Sequence, residues 1–76
     1  MKRYEIFFEE EHEFKKCVTE IRKYLSDRGK QRAYTLFRVP VLAPDWNVPG
    51  GHIIAVPNRT ARKIERSCVD MQRIAR

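Results

Sequence analysis

The 76-residue sequence has no long apolar run, only three glycines and only two cysteines. No stretch approaches the roughly 18 apolar residues that a membrane-spanning helix needs, so we expect no membrane association. Glu5 and the acids from residue 9 onward interrupt any apolar signal segment, which predicts a cytoplasmic protein. In that reducing compartment, the distant Cys17 and Cys68 are expected to be small core residues without a disulfide.

Catalytic and cofactor motifs are missing as well. The sequence has no phosphate-binding glycine loop, no HExxH and no nucleophile elbow. The histidines, His12 and His52, do not combine with the cysteines into the short paired spacings of a zinc site. Neither histidine has a nucleophile nearby in sequence to act on as a general base. We therefore expect no metal and no cofactor, and ribonuclease is the one enzyme class left open.

Apolar spacing predicts five elements. A period of two is typical of a strand, and spacings of three and four are typical of a helix. The predicted elements are a strand at 3–8, a helix at 11–27, strands at 32–42 and 52–56, and a helix at 59–75. Gly29 is the expected stop of the first helix, and Asn58 the expected cap of the second.

This order, β-α-β-β-α, predicts one small basic α+β domain over residues 1–76. The two later strands form a hairpin across the proline- and glycine-rich segment 43–51. The simplest packing is a two-layer sandwich, in which a three-stranded, mainly antiparallel sheet carries both helices on one face.

Charge is unevenly distributed along the chain. Residues 5–13 hold five of the ten acids and no lysine or arginine, so the remainder carries sixteen bases against five acids. The acids at 9–13 are interpreted as a solvated helix start, which the helix dipole favours, although such a cluster could also hold a cation.

The start of the second helix is basic, against the local preference of the dipole. Cations at a helix N-terminus cost stability, and sequences break such rules most often at functional sites. Free backbone N–H groups beside arginines suit phosphate or another anion. The residues predicted to bind an anion or nucleic acid are Arg59, Arg62, Lys63 and Arg66, with Arg28, Lys30 and Arg32 in support. The alternative is a solvated polar face opposite the apolar stripe.

A second candidate surface is the loop that holds Asp45, Trp46 and Asn47. An aromatic side chain on a loop can stack on a base or anchor a protein interface. The alternative is that Trp46 folds back over a small core.

The segment Gly51-His52-Ile53-Ile54-Ala55-Val56-Pro57-Asn58, followed by a basic amphipathic helix, resembles the tail of HicA-type toxins. Those are small ribonucleases with a fold like that of double-stranded-RNA-binding domains. The resemblance covers about the last third of the chain and implies a hairpin-plus-helix layout and RNA binding. That family carries its catalytic histidine on the first hairpin strand. The matching region, Gln31 to Arg38, has no histidine, which argues against catalysis.

Two functions follow as hypotheses. The first is a nucleic-acid-binding module, with RNA favoured, that contacts phosphates through the basic start of the second helix. The alternative is a protein-interaction or inhibitor module, as encoded by phages or other mobile elements. It would bind an acidic surface of a host protein through the basic face and the Trp46 loop. Both hypotheses are compatible with a monomer or a homodimer.

Overall fold

The computed structural model describes residues 3–39, 51–67 and 71–74. Its elements are β1 (Tyr4–Phe8), a 3₁₀ turn (Glu11–Glu13), α1 (Phe14–Asp27), β2 (Tyr34–Val39), β3 (Gly51–Pro57), α2 (Asn58–Ser67) and β4 (Gln72–Arg73). The strands form one antiparallel sheet in the order β1-β3-β2-β4. The α+β class, the antiparallel sheet and the pairing of the second strand with the third are confirmed. The predicted count of three strands is wrong, because the sheet has four. Residues 40–42 of the predicted strand 32–42 lie outside the described residues.

One face of the sheet is covered by α1. Apolar residues at spacings of three and four form the buried stripe of this helix, as amphipathic packing requires. The stripe consists of Cys17, Val18, Ile21 and Leu25. It packs against alternate residues of the strands, among them Phe8, Leu36 and Ile53. This is the larger of the two core clusters.

The opposite face is covered by α2. Ala61 and Ile64 of this helix pack against Phe37, Ile54 and Val56, which point away from α1. The prediction that both helices lie on one face is therefore wrong, and the domain has three layers, helix–sheet–helix. The physical reason lies in β3, where neighbouring residues point to opposite faces and both sets are apolar and buried.

A fourth strand replaces the end of the predicted second helix. The sequence predicts a helix over 59–75, whereas α2 ends at Ser67 and β4 pairs with β2 through Phe37↔Arg73. Met71 packs on the α2 side of the sheet and Ile74 on the α1 side. A separation of three puts two residues on one side of a helix but on opposite faces of a strand. The helical interpretation of these residues is therefore wrong.

Two glycines have clear roles. Gly29 adopts a φ of +67° just after α1, the left-handed conformation that ends a helix without strain on a side chain. Gly51 lies opposite Phe8 across β1 and β3. A Cβ on Gly51 would lie 2.7 Å from Cζ of Phe8, so the absence of a side chain lets the ring cover this end of the core.

The environment of Cys17 matches the expectation for a core residue. Its side chain is buried and unpaired, and burial raises the pKa of the thiol. Cys68 lies outside the described residues. Within the described segments, neither helix has the length and apolarity that crossing a bilayer requires.

Candidate nucleic-acid interface

The first turn of α2 is tied to the chain entering β2. The Asn58 side chain donates to the carbonyl oxygen of Arg32 (2.9 Å) and accepts from the Thr35 hydroxyl (2.7 Å). The Asn58 backbone N–H also donates to the carbonyl oxygen of Ala33 (2.9 Å). Asn58 therefore joins the two basic segments that the sequence predicts to act together, and it is the first residue of α2 itself.

A basic furrow runs along the β4 edge of the sheet. Two hollows, of about 350 Å³ on the α1 side and about 290 Å³ on the α2 side, meet at this edge and have Thr35 and Arg73 in common. The charged side chains that line them are Arg22, Arg32, Arg62, Arg73 and Glu65. We call these residues, together with Thr35, the β4 furrow. Four cations against one carboxylate make it an electropositive concavity, which draws anions.

The elements that supply these arginines are spread along the chain. Arg22 comes from α1, Arg62 from α2 and Arg73 from β4, while Arg32 precedes β2. Arg73 lies 3.5 Å from Glu65 through Nη1 and Oε1, and both side chains are about half exposed, so water screens this pair. The furrow keeps a clear excess of positive charge.

The outer surface of α2 continues the positive charge of the furrow. Residues three and four apart are neighbours on a helix, which places Arg59, Arg62, Lys63 and Arg66 along one exposed side. This side is opposite Ala61, which is buried against the sheet. No ion pair joins these four cations to an acid within the described residues. Arg62 therefore belongs both to the helix stripe and to the β4 furrow.

The other predicted basic residues divide. Arg32 lines the furrow, whereas Arg28 and Lys30 are engaged with tyrosines. The Arg28 guanidinium lies 3.4 Å from the centre of the Tyr24 ring. Lys30 Nζ donates to the Tyr4 hydroxyl at 3.0 Å, and that bond raises the pKa of Lys30. Arg28 and Lys30, which the sequence predicts to support anion binding, therefore do not line the β4 furrow.

Arg22 and Arg73 are furrow residues that the predicted site omits. Both stand in basic stretches of the sequence, but nothing in their spacing links one to the other. The link comes from the pairing of β4 with β2, which brings the end of the described chain beside the α1 side of the sheet. The predicted interaction loop of Asp45, Trp46 and Asn47 lies outside the described residues.

His52 is the one histidine with a partly buried side chain. Its ring stacks on Phe7 with centroids 4.2 Å apart, and its Nε2 lies 3.4 Å from Oε1 of Glu5. Burial lowers the pKa of His52, against the opposing effect of Glu5. Nε2 is closed off from solvent and has no hydrogen-bond partner among the described residues. In this conformation Nε2 does not reach a substrate as a general base.

The acidic turn after β1 brings three potential ligand atoms together. Glu10, His12 and Glu13 place one ligand atom each within 4.8 Å of the others. Glu10 and His12 already form a contact of 3.2 Å, and their side chains are largely exposed. Arg38 donates to both carboxylate oxygens of Glu11, which holds the pKa of Glu11 below its usual value. The turn is thus tied to the sheet by one bidentate contact.

The chain matches no protein-family model, and no curated protein or solved structure is significantly similar to it. The resemblance of residues 51–58 and the following helix to HicA-type toxins therefore rests on that part of the sequence alone.

Proposed function

We propose that this protein binds nucleic acid, with RNA favoured, through the β4 furrow and the exposed side of α2. The observation that carries the proposal is that four arginines from separate parts of the chain line two adjoining hollows at the β4 edge, with a single carboxylate among them. Arginine donates two parallel hydrogen bonds to a phosphate, and a row of such groups follows a phosphate backbone.

The α2 stripe extends the contact beyond the furrow. A phosphate backbone seated at Arg62 has Arg59, Lys63 and Arg66 within one or two helical turns on the same exposed side. These contacts read charge and shape rather than base sequence, so we expect weak sequence preference. The preference for RNA rests on the resemblance of residues 51–58 and the basic helix that follows.

Salt titration of binding tests this proposal. Fluorescence anisotropy is measured with labelled single-stranded and duplex RNA and DNA, and affinity should fall steeply as salt rises because phosphate binding releases counterions. Arg62→Glu should weaken binding about tenfold and reduce the salt slope by about one ion. Lys15→Glu is the matched control, since Lys15 is an exposed α1 residue that does not line the furrow.

The outcomes separate the hypotheses. Equal weakening by Arg62→Glu and Lys15→Glu would mean that net charge, not the furrow, is responsible, and the absence of binding at low salt would refute the proposal. Equal affinity for RNA and DNA would overturn only the preference for RNA. A stoichiometric protein partner that survives nuclease treatment during co-purification, and that Arg62→Glu releases, would instead identify an acidic protein surface as the ligand.

A further inference from the structure

The opposite edge of the sheet has a different character. β1 pairs with β3 on one side, and no other described strand pairs with its outer side. Two hollows, of about 440 Å³ and about 430 Å³, lie against this edge and share Ile6 and Glu20 in their walls. We call this depression between β1 and α1 the β1 furrow.

The hydrogen-bonding direction of each strand follows from one contact at the far edge. The Ile74 N–H donates to the carbonyl oxygen of Leu36 at 2.9 Å, so Leu36 bonds toward β4. The backbone N–H and C=O groups of successive residues in an antiparallel strand point to alternate sides. Those of the next residue, Phe37, therefore point toward β3, where they pair with the backbone groups of Ile54.

The same alternation continues into β1. The residue before Ile54, Ile53, bonds toward β1 and lies opposite Ile6. The backbone groups of Ile6 therefore point toward β3. Those of its neighbours, Glu5 and Phe7, point away from β3, so their N–H and C=O groups face the outside of the sheet. An extended peptide can add to such an edge by making these backbone hydrogen bonds.

The side chains around the β1 furrow indicate the chemistry of the occupant. Three acidic residues line it, Glu5, Glu13 and Glu20, against Lys16 and His12. The Glu5 carboxylate is already paired with Arg3 at 3.1 Å, so Glu13 and Glu20 are the carboxylates that face an occupant. Protected edges in native proteins commonly carry lysine, proline or a bulge, and the strand Tyr-Glu-Ile-Phe-Phe has none of these. Phe7 is 70% exposed, the most exposed large apolar side chain described, and offers a contact for an incoming strand.

We infer that the β1 edge binds an extended, basic segment of a partner protein as an added strand. Backbone bonds to Glu5 and Phe7 hold the segment, and its arginine or lysine side chains on the α1 side meet the carboxylates of Glu13 and Glu20. A second copy of this chain fits less well, because pairing β1 with itself brings two acidic furrows together. The inference is independent of nucleic-acid binding, since it uses the opposite edge.

The probe is a short synthetic peptide in which arginine alternates with valine, titrated by calorimetry and by amide hydrogen exchange. We expect binding that slows exchange at the amides of Glu5 and Phe7, and a Glu20→Lys variant about tenfold weaker. Asp27→Lys is the matched control, because Asp27 is an exposed α1 carboxylate that does not line the furrow. Circular dichroism confirms that each variant is folded.

Two control peptides separate strand addition from simple charge attraction. Replacing valine by proline removes backbone donors but keeps the arginines, and replacing arginine by glutamate reverses the charge. Both should lose most of the binding. The inference is overturned if the proline peptide binds as well as the valine peptide, or if Glu20→Lys and Asp27→Lys behave alike. It is also overturned if Glu5 and Phe7 are protected without peptide by self-association.

Discussion

The two edges of the sheet differ in both length and charge. β1 is five residues long and borders a furrow with three carboxylates and one lysine, while β4 is two residues long and borders a furrow with four arginines and one carboxylate. Net charge alone would describe the protein as uniformly basic. The sheet instead separates the charges, so that one small domain has an electropositive edge and an electronegative edge.

Both edges depend on the central strands. β3 lies between β1 and β2, and Ile53 in its middle is fully buried. Ile53→Ala should lower the free energy of unfolding by about 2–5 kcal/mol, the largest effect of a single substitution that we expect. In a domain of this size such a loss is a large part of the total stability.

Chemical denaturation, followed by circular dichroism, measures that loss. If the edges are held by one cooperative core, binding at the β4 furrow and at the β1 furrow should disappear together as Ile53→Ala unfolds. If an unfolded variant still binds at either furrow, binding would depend on the charged residues alone and not on their arrangement by the sheet. Ile64→Val, a smaller change on the half-buried side of α2, is the milder control.

The limits of prediction from sequence also follow from β3. Its near-continuous apolar run predicts a strand, and burial on both faces explains why the helices lie on opposite sides. The fourth strand could not be predicted, because its two residues, Gln72 and Arg73, are too few to show the alternation of a strand. Met71 also stands at helical spacing from Ile64, which favours a helix. The charge clusters were visible, but the meeting of Arg22 with Arg73 depends on a strand pairing that local pattern does not encode.

On the β1 side of the sheet, His52 of β3 should make the stability of the domain sensitive to acid. Burial lowers the pKa of His52 in the folded state, with Glu5 and Arg3 as the charged groups beside it. The unfolded chain then binds the proton more readily, so stability falls as the pH drops below the ordinary histidine value of about 6.5. The loss levels off once the pH is below the lowered pKa of the folded state.

His52→Asn should remove that part of the pH dependence. The measurement is the denaturation midpoint at about pH 7.5 and about pH 5.5, on either side of the ordinary histidine pKa. We expect the midpoint of the parent protein to fall more over this interval than that of the variant, by less than the effect of Ile53→Ala. His12→Asn, at an exposed histidine, is the control, and an identical pH dependence for all three proteins would contradict the assignment.

The smallest expected effect is at the single carboxylate of the β4 furrow. Glu65 lies 3.5 Å from Arg73, and both are exposed enough that the pair contributes little to stability. Glu65→Gln removes a negative charge that competes with phosphate and frees the Arg73 guanidinium. If nucleic acid occupies the furrow, affinity should rise about two- to threefold at low salt, and the gain should shrink as salt screens the charge. Glu20→Gln makes the same change in net charge at the β1 furrow, and an equal rise for both variants would mean that the sheet does not separate the two edges electrostatically.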